Sequence, residues 1–367
     1  MELDDIFSYN EQPTDLAVIE RLKSMALPVV IYGASLDVAD QIVKKLIDSQ
    51  IAVSFVAYDD ECPMMAASTV LLKNTSVIHV KDIDSQLSAY NVILGFVKGY
   101  SNIPAISLKF RNAANVAYLS EIFDMEIVTR SFVETHRAAL EDFYHNLQDQ
   151  YSKDSFAAYL ASKVLQDMRF LPPVFEKTQY FPQGIFELSR DESYFDCGAF
   201  TGDTIADFLK ATGGSYRHIW AVEPDTMNCN RLTKYINEER LQHVDVVNKG
   251  VYSHAGRLPF QETGNMLSML VDDAQHFIEV DTIDRIATGN PVTYIKMDVE
   301  GAEMEALKGA EQTIRKYTPV LGISIYHKQQ DLIDIPHYIK SLVPEYTFYF
   351  RVHKKLAIDT VLYAVAK

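Results

Sequence analysis

The chain has 367 residues, 48% of them hydrophobic and 23% charged, which suits two domains with real cores and argues against disorder. Its 34 Lys and Arg face 50 Asp and Glu, and a net charge of −16 argues against a grip on a nucleic-acid backbone. The start Met1–Glu2–Leu3–Asp4–Asp5 lacks a signal-peptide core, and no apolar run approaches the roughly 18 residues of a membrane span. Cys62, Cys197 and Cys229 form no C-x-x-C pair, so a cytoplasmic protein with reduced thiols is expected.

In chain order, Val29–Tyr32 predicts a short β-branched strand, followed by Gly33–Ala34–Ser35 and an amphipathic helix to about Ser49. Further strands are predicted at Ala52–Tyr58, Val77–Val80, Asn91–Phe96 and Ala105–Leu108. Strands alternating with helical patterns imply a parallel sheet, hence a small Rossmann-like α/β domain over residues 1–130. A dinucleotide fingerprint starting at Gly33 would have Ser35 and Val38 where glycines belong, although Asp59 could cap a ribose. A structural or partner-contact role is favoured over a nucleotide site. Residues 131–177 read as a helical bridge. Phe132, His136, Leu140, Phe143 and Leu147 recur at helical spacing, a second helix is predicted near Asp154–Asp167, and Pro172–Pro173 breaks the pattern.

Residues 178–367 carry the chemistry. Tyr194–Cys197 ends a buried strand, and Gly198–Ala199–Phe200–Thr201–Gly202 turns into a helix over Thr204–Ala211 stopped by Gly213–Gly214. The turn holds Asp196 and Asp203 and no Lys or Arg. Carboxylates repel a pyrophosphate but suit a cofactor with an ammonium and a sulfonium, so S-adenosylmethionine fits better than NAD or ATP. His218–Val222 is a second strand ending in Glu223–Pro224–Asp225, and Glu223 stands where such a fold holds a ribose diol. After a helix over Cys229–Glu239 and a strand over His243–Val247, Asn248 is placed to meet an adenine edge and Gly250 to leave room for its face. Asp281 and Asp284 read as a loop entering a helix, with capping at least as good an account as function.

A fourth strand, Thr293–Met297, runs into Asp298–Val299–Glu300–Gly301–Ala302–Glu303 and a helix to about Tyr317. Asp298 and Glu300 precede that helix on the side where the transferred group should lie, whereas Glu303 has the plainer role of answering the helix dipole. Lys296 is expected to pair with an acid. The strand Val320–Ile325 leads into Tyr326–His327–Lys328, and His327 is a candidate proton acceptor. Thr347–Val352 and Thr360–Val365 read as a closing hairpin.

The segments Asp196–Thr204, Val222–Asp225, Ile295–Glu303 and Ile323–Lys328, in that order, resemble the FkbM-type methyltransferases. The resemblance implies a class I fold, a mostly parallel seven-stranded sheet with an antiparallel last strand, and S-adenosylmethionine-dependent O-methylation of a sugar, glycan or secondary metabolite. It implies that Asp196, Gly198, Gly202 and Glu223 line the cofactor, with Ala199, Phe200, Asp203, Thr204, Pro224, Asn248 and Asp298 beside them. Asp298, Glu300 and His327 would face the acceptor, His327 or Glu300 taking its proton while Asp298 orients. The same three residues could instead bind Mg²⁺, and spacing does not choose. The partner expected is a small-molecule or glycan acceptor, without nucleic acid or membrane insertion. The rivals are a non-catalytic cofactor-binding protein on this fold, a nucleic-acid or protein methyltransferase, and an NAD-dependent oxidoreductase.

Overall fold

The computed structural model describes residues 15–33, 36–60, 75–95, 109–119, 128–264, 268–271, 276–353 and 359–366. The predicted strand at 105–108, Cys62 and the turn residues 34–35 lie outside them. The chain divides into two compact units.

The first unit comprises residues up to 144, with 150–176 and 352–359. Its elements are α1 (Asp15–Met25), β1 (Val29–Tyr32), α2 (Leu36–Asp48), β2 (Val53–Tyr58), β3 (Ser76–His79), α3 (Val80–Gln86), β4 (Tyr90–Leu94) and β5 (Ala113–Ala117). Helices α4 (Arg130–Thr135), α5 (Arg137–Asn146) and α6 (Gln150–Val164) follow, the last residues of α5 belonging to the second unit. The five strands form one parallel sheet in the order β3-β2-β1-β4-β5. Every residue of β1 and β4 is buried, as expected for central strands covered on both faces. Val18, Ile19, Leu22, Ile42, Leu46 and Ile93 help form the core on one face. The fifth strand is β5, which its small residues Ala113–Ala114–Asn115 conceal from a pattern reading.

The second unit holds residues 145–149, 177–351 and 360–367. It runs β6 (Ser193–Cys197), α7 (Asp203–Thr212), β7 (His218–Val222), α8 (Thr226–Glu238), β8 (Val244–Val247), β9 (Gly250–Val251), β10 (Gly256–Gln261), β11 (Met269–Leu270), β12 (Phe277–Asp281) and α9 (Ile283–Ile286). It continues with β13 (Tyr294–Met297), α10 (Glu303–Lys308), α11 (Glu311–Tyr317), β14 (Val320–Ser324), α12 (Asp331–Leu342), β15 (Tyr346–Val352) and β16 (Thr360–Ala366). The seven-stranded sheet has the order β8-β7-β6-β13-β14-β16-β15. Strands β8 to β14 pair in parallel and β16 is antiparallel to β14. This is the class I methyltransferase arrangement, and its topological switch lies between β6 and β13, where a ligand crevice forms at the carboxyl ends. Beneath the crevice, Tyr194 stacks on Phe208 and on Tyr294, with ring centroids 4.4 and 5.6 Å away.

Two features depart from expectation. A four-stranded sheet, β11-β10-β12-β9, occupies residues 250–281, where its two-residue strands and Pro259 hide it from periodicity. The helix after the fourth strand is two helices, α10 and α11. At the break, Gly309 packs so tightly that a Cβ there would lie 2.0 Å from the Tyr252 carbonyl oxygen. Asp284 accepts from the Gln312 and Thr313 amides and so caps α11, while Thr282 caps α9 through the Arg285 amide.

Candidate active site

The site is built from two loops at the carboxyl ends of β6 and β13, and backbone strain concentrates in both. Gly198, Phe200 and Gly202 have φ of 77°, 47° and 95°, and Glu300 and Gly301 have 53° and 91°. Positive φ at Phe200 and Glu300 is unfavourable for residues with a side chain and is held only by surrounding contacts. Gly198 is required sterically as well, because a Cβ there would lie 2.0 Å from the Asp298 carbonyl oxygen. The Asp298 amide in turn donates to the Cys197 carbonyl at 3.1 Å. The two loops therefore meet backbone to backbone, which only glycine permits.

Asp196 is fully buried and stands opposite Lys296 in the β6–β13 register. The Lys296 Nζ lies 3.1 Å from Asp196 Oδ1, donates to the carbonyls of Gly198 at 2.7 Å and Cys197 at 3.2 Å, and sits over the Tyr180 ring. Burial works against the lysine charge, but the Asp196, Asp298 and Asp203 carboxylates outweigh it and raise its pKa. Thr204 Oγ1 donates to Asp196 Oδ2 at 2.5 Å. This corrects the charge reading of the turn. It holds no cation in sequence, but the neighbouring strand supplies Lys296, against which Asp196 is buried. Asp203 is exposed in the first turn of α7, and Ala199 is buried.

Glu223 is different. It is 6% exposed, its carboxylate accepts from the Phe200 and Asp225 amides at 2.9 and 3.0 Å, and no ion pair joins it among the described residues. Burial pushes its pKa up to about 7. A carboxylate has about four acceptor positions, so two remain for further donors such as a ribose diol. Asp225 is fully buried and accepts from the amides of Met227, Asn228, Thr263 and Gly264 and from Ser268, so it caps α8 and ties down the next loop. Asn248 uses its side-chain NH₂ on the carbonyls of Glu223 at 2.9 Å and Pro224 at 3.1 Å.

At the other end, β13 and β14 bring Asp298, Glu300, Glu303 and His327 together. Asp298 accepts from Tyr180 Oη at 2.8 Å and Tyr326 Oη at 3.3 Å. Tyr180 also contacts Ser324 Oγ at 3.2 Å. His327 Nδ1 lies 2.9 Å from Glu303 Oε1, and Nε2 lies 3.5 Å from Glu300 Oε2 and 3.7 Å from Asp298 Oδ1. Glu303 is fully buried, and its Oε1 also accepts from the Val299 amide at 2.9 Å. Burial opposes a charge on His327, yet Glu303, Asp298 and Glu300 outweigh it and lift the pKa to about 10. A ring whose protonated form is favoured in this way is a poor proton acceptor, which weighs against reading His327 as a base. Glu303, read from sequence as a dipole partner, is the buried mainstay of this cluster. Tyr180 was equally hidden, because it comes from a loop more than a hundred residues before Asp298.

Residues 196–349 match the methyltransferase FkbM domain family. The chain carries an FkbM-type methyltransferase domain. A solved methyltransferase FkbM from Methylobacillus flagellatus KT is similar over 99% of this chain and 96% of its own, at 23% identity and a TM-score of 0.67. An rRNA methylase from Streptococcus thermophilus is similar over 49% of this chain and 89% of its own, with 12% identity and a TM-score of 0.34. A Streptococcus mutans protein titled as a methyltransferase in complex with SAH is similar over 49% and 91%, with 10% identity and a TM-score of 0.32. No curated protein matches the chain. Among the described residues no helix is long and apolar enough to cross a membrane.

Proposed function

We propose that this FkbM-type methyltransferase uses S-adenosylmethionine to methylate a hydroxyl oxygen on a sugar, glycan or secondary metabolite. The observation that carries the reading is the presence of two unlike acids at the carboxyl ends of the strands that flank β6. Glu223 is buried without a cation and suits a diol, while Glu300 stands at the rim beside Asp298 and His327. The glycine turn supports the same reading, since Gly198 lets it close on the Asp298 backbone and Gly202 on the Tyr235 ring, which fixes it at the carboxyl end of β6 where such sheets bind ligands. The acidic chain, with its net charge of −16, favours a small or glycan acceptor over a nucleic acid.

The bound cofactor supplies an electrophilic methyl on a sulfonium. The chain then has to hold an acceptor oxygen in line with that methyl and remove its proton. Glu300 is the acceptor of that proton: its side chain is 30% exposed, so a substrate can reach it. Asp298 already accepts from two tyrosine hydroxyls, which suits it to orienting an acceptor rather than deprotonating one. His327 lies between the three carboxylates and keeps Glu300 in place.

Calorimetry with S-adenosylhomocysteine and labelled methyl transfer to hydroxyl acceptors test the proposal together. Micromolar binding with O-methyl products is expected. Binding of NADH in preference to S-adenosylhomocysteine would overturn it.

A further inference from the structure

Three carboxylates converge on one imidazole at the ends of β13 and β14. Asp298, Glu300 and Glu303 surround a single ring, and Lys328 Nζ is turned to the Gly301 carbonyl instead. One ligand atom each from Asp298, Glu303 and His327 lies within 4.8 Å of the other two. Ligands trans to one another on a first-row cation stand about 4.2 Å apart, given bonds of about 2.1 Å, so small side-chain shifts would close the set. A second observation points to a ligand. Glu303 is fully buried, yet its Oε2 is buried with no hydrogen-bond partner among the described residues. Orphaned acceptors this deep are rare unless an ion or ligand completes them.

We propose that Asp298, Glu303 and His327 form a binding site for one divalent first-row transition cation of the Mn²⁺ or Zn²⁺ kind. Two carboxylates and an imidazole make a mixed oxygen–nitrogen donor set, which suits these ions better than the all-oxygen shell preferred by Mg²⁺. The cation takes the place of the ring proton as counter-charge, and the Glu303 oxygen without a partner gains one. The Val299 amide holds Glu303 Oε1, as an outer hydrogen bond commonly orients a metal-binding carboxylate. Resting on the methyltransferase reading, the ion's use is to hold the acceptor hydroxyl beside Glu300.

The test titrates Mn²⁺ into chelator-treated full-length protein and follows the free-ion signal by electron paramagnetic resonance. One equivalent should bind, with binding at least tenfold weaker in His327→Ala and in Asp298→Asn, both checked for folding by circular dichroism. Glu223→Gln should bind Mn²⁺ like wild type while losing affinity for S-adenosylhomocysteine. Absence of Mn²⁺ binding to wild type, or undiminished binding by His327→Ala, overturns the inference. Homocysteine-cofactor binding without Mn²⁺ binding rejects the cation site alone; the reverse rejects the methyltransferase reading and leaves the site standing.

Discussion

The two units use the same backbone device and fill it with different chemistry. In each, a glycine follows the first strand of a parallel sheet with nearly equal φ, 78° at Gly33 and 77° at Gly198. Each glycine amide donates to a carbonyl of the next strand, Gly33 to Ala57 of β2 at 3.2 Å and Gly198 to Val222 of β7 at 2.9 Å. The position after the neighbouring strand then donates back, Gly95 to Tyr32 in one unit and Asp298 to Cys197 in the other. The difference lies in side chains. Where the first unit has Gly95, the second has Asp298. Where the first has Asp59 closed by Lys109 at 2.6 Å and Tyr32 at 2.9 Å, the second has Glu223 with backbone amides only. The two turns therefore share a backbone and differ in whether the acid beside them is paired with a cation.

The comparison can be broken most severely at Gly198. Gly198→Ala drives a methyl into the Asp298 carbonyl and forces a side chain into positive φ, so S-adenosylhomocysteine affinity should fall by about 100-fold or more, near 3 kcal/mol. Calorimetry on the folded variant measures this. Next in size is Glu300→Gln, expected to lower turnover by roughly 10²-fold or more while cofactor affinity stays at the wild-type value. Equal loss of both would show that Glu300 shapes the crevice rather than taking a proton.

Glu223 sharpens the comparison through pH. Its free carboxylate titrates near 7, and the ionised form accepts the diol, so affinity should be weaker by about tenfold at pH 6 than at pH 8. Glu223→Gln should flatten that profile. The stability effect has the opposite direction. A carboxyl raised from 4.5 to about 7 stabilises the folded state fully below pH 4.5, and that contribution is lost as pH rises through 7. Unliganded wild type should thus lose up to about 3 kcal/mol relative to Glu223→Gln across this window, read from denaturant midpoints. The smallest effect belongs to the closed acid. Asp59→Asn should cost about 1 kcal/mol of stability and leave S-adenosylhomocysteine affinity unchanged.

Much of the second unit was legible because strand ends and glycine turns are local signals. His218–Val222 was read to the residue, and the helix stop at Gly213 follows from its left-handed cap. Glu223 was legible too, since its place after a strand end follows from chain order. The small sheet at 250–281 was not, because strands of two residues carry no period. Sequence pairs Lys296 with an acid without saying which, because the partner, Asp196, lies on a strand a hundred residues away.

Sequence alone determined the order of strands and turns, the glycines that a positive φ demands and the acids at the strand ends, because each depends on near neighbours. Only the tertiary structure decided which charges neutralise one another. Parallel pairing set Lys296 against Asp196, and the β13–β14 contact delivered His327 to Glu303. Coulomb interactions act through space, so the same carboxylate is a brace, a diol acceptor or a cation ligand according to what the fold places beside it.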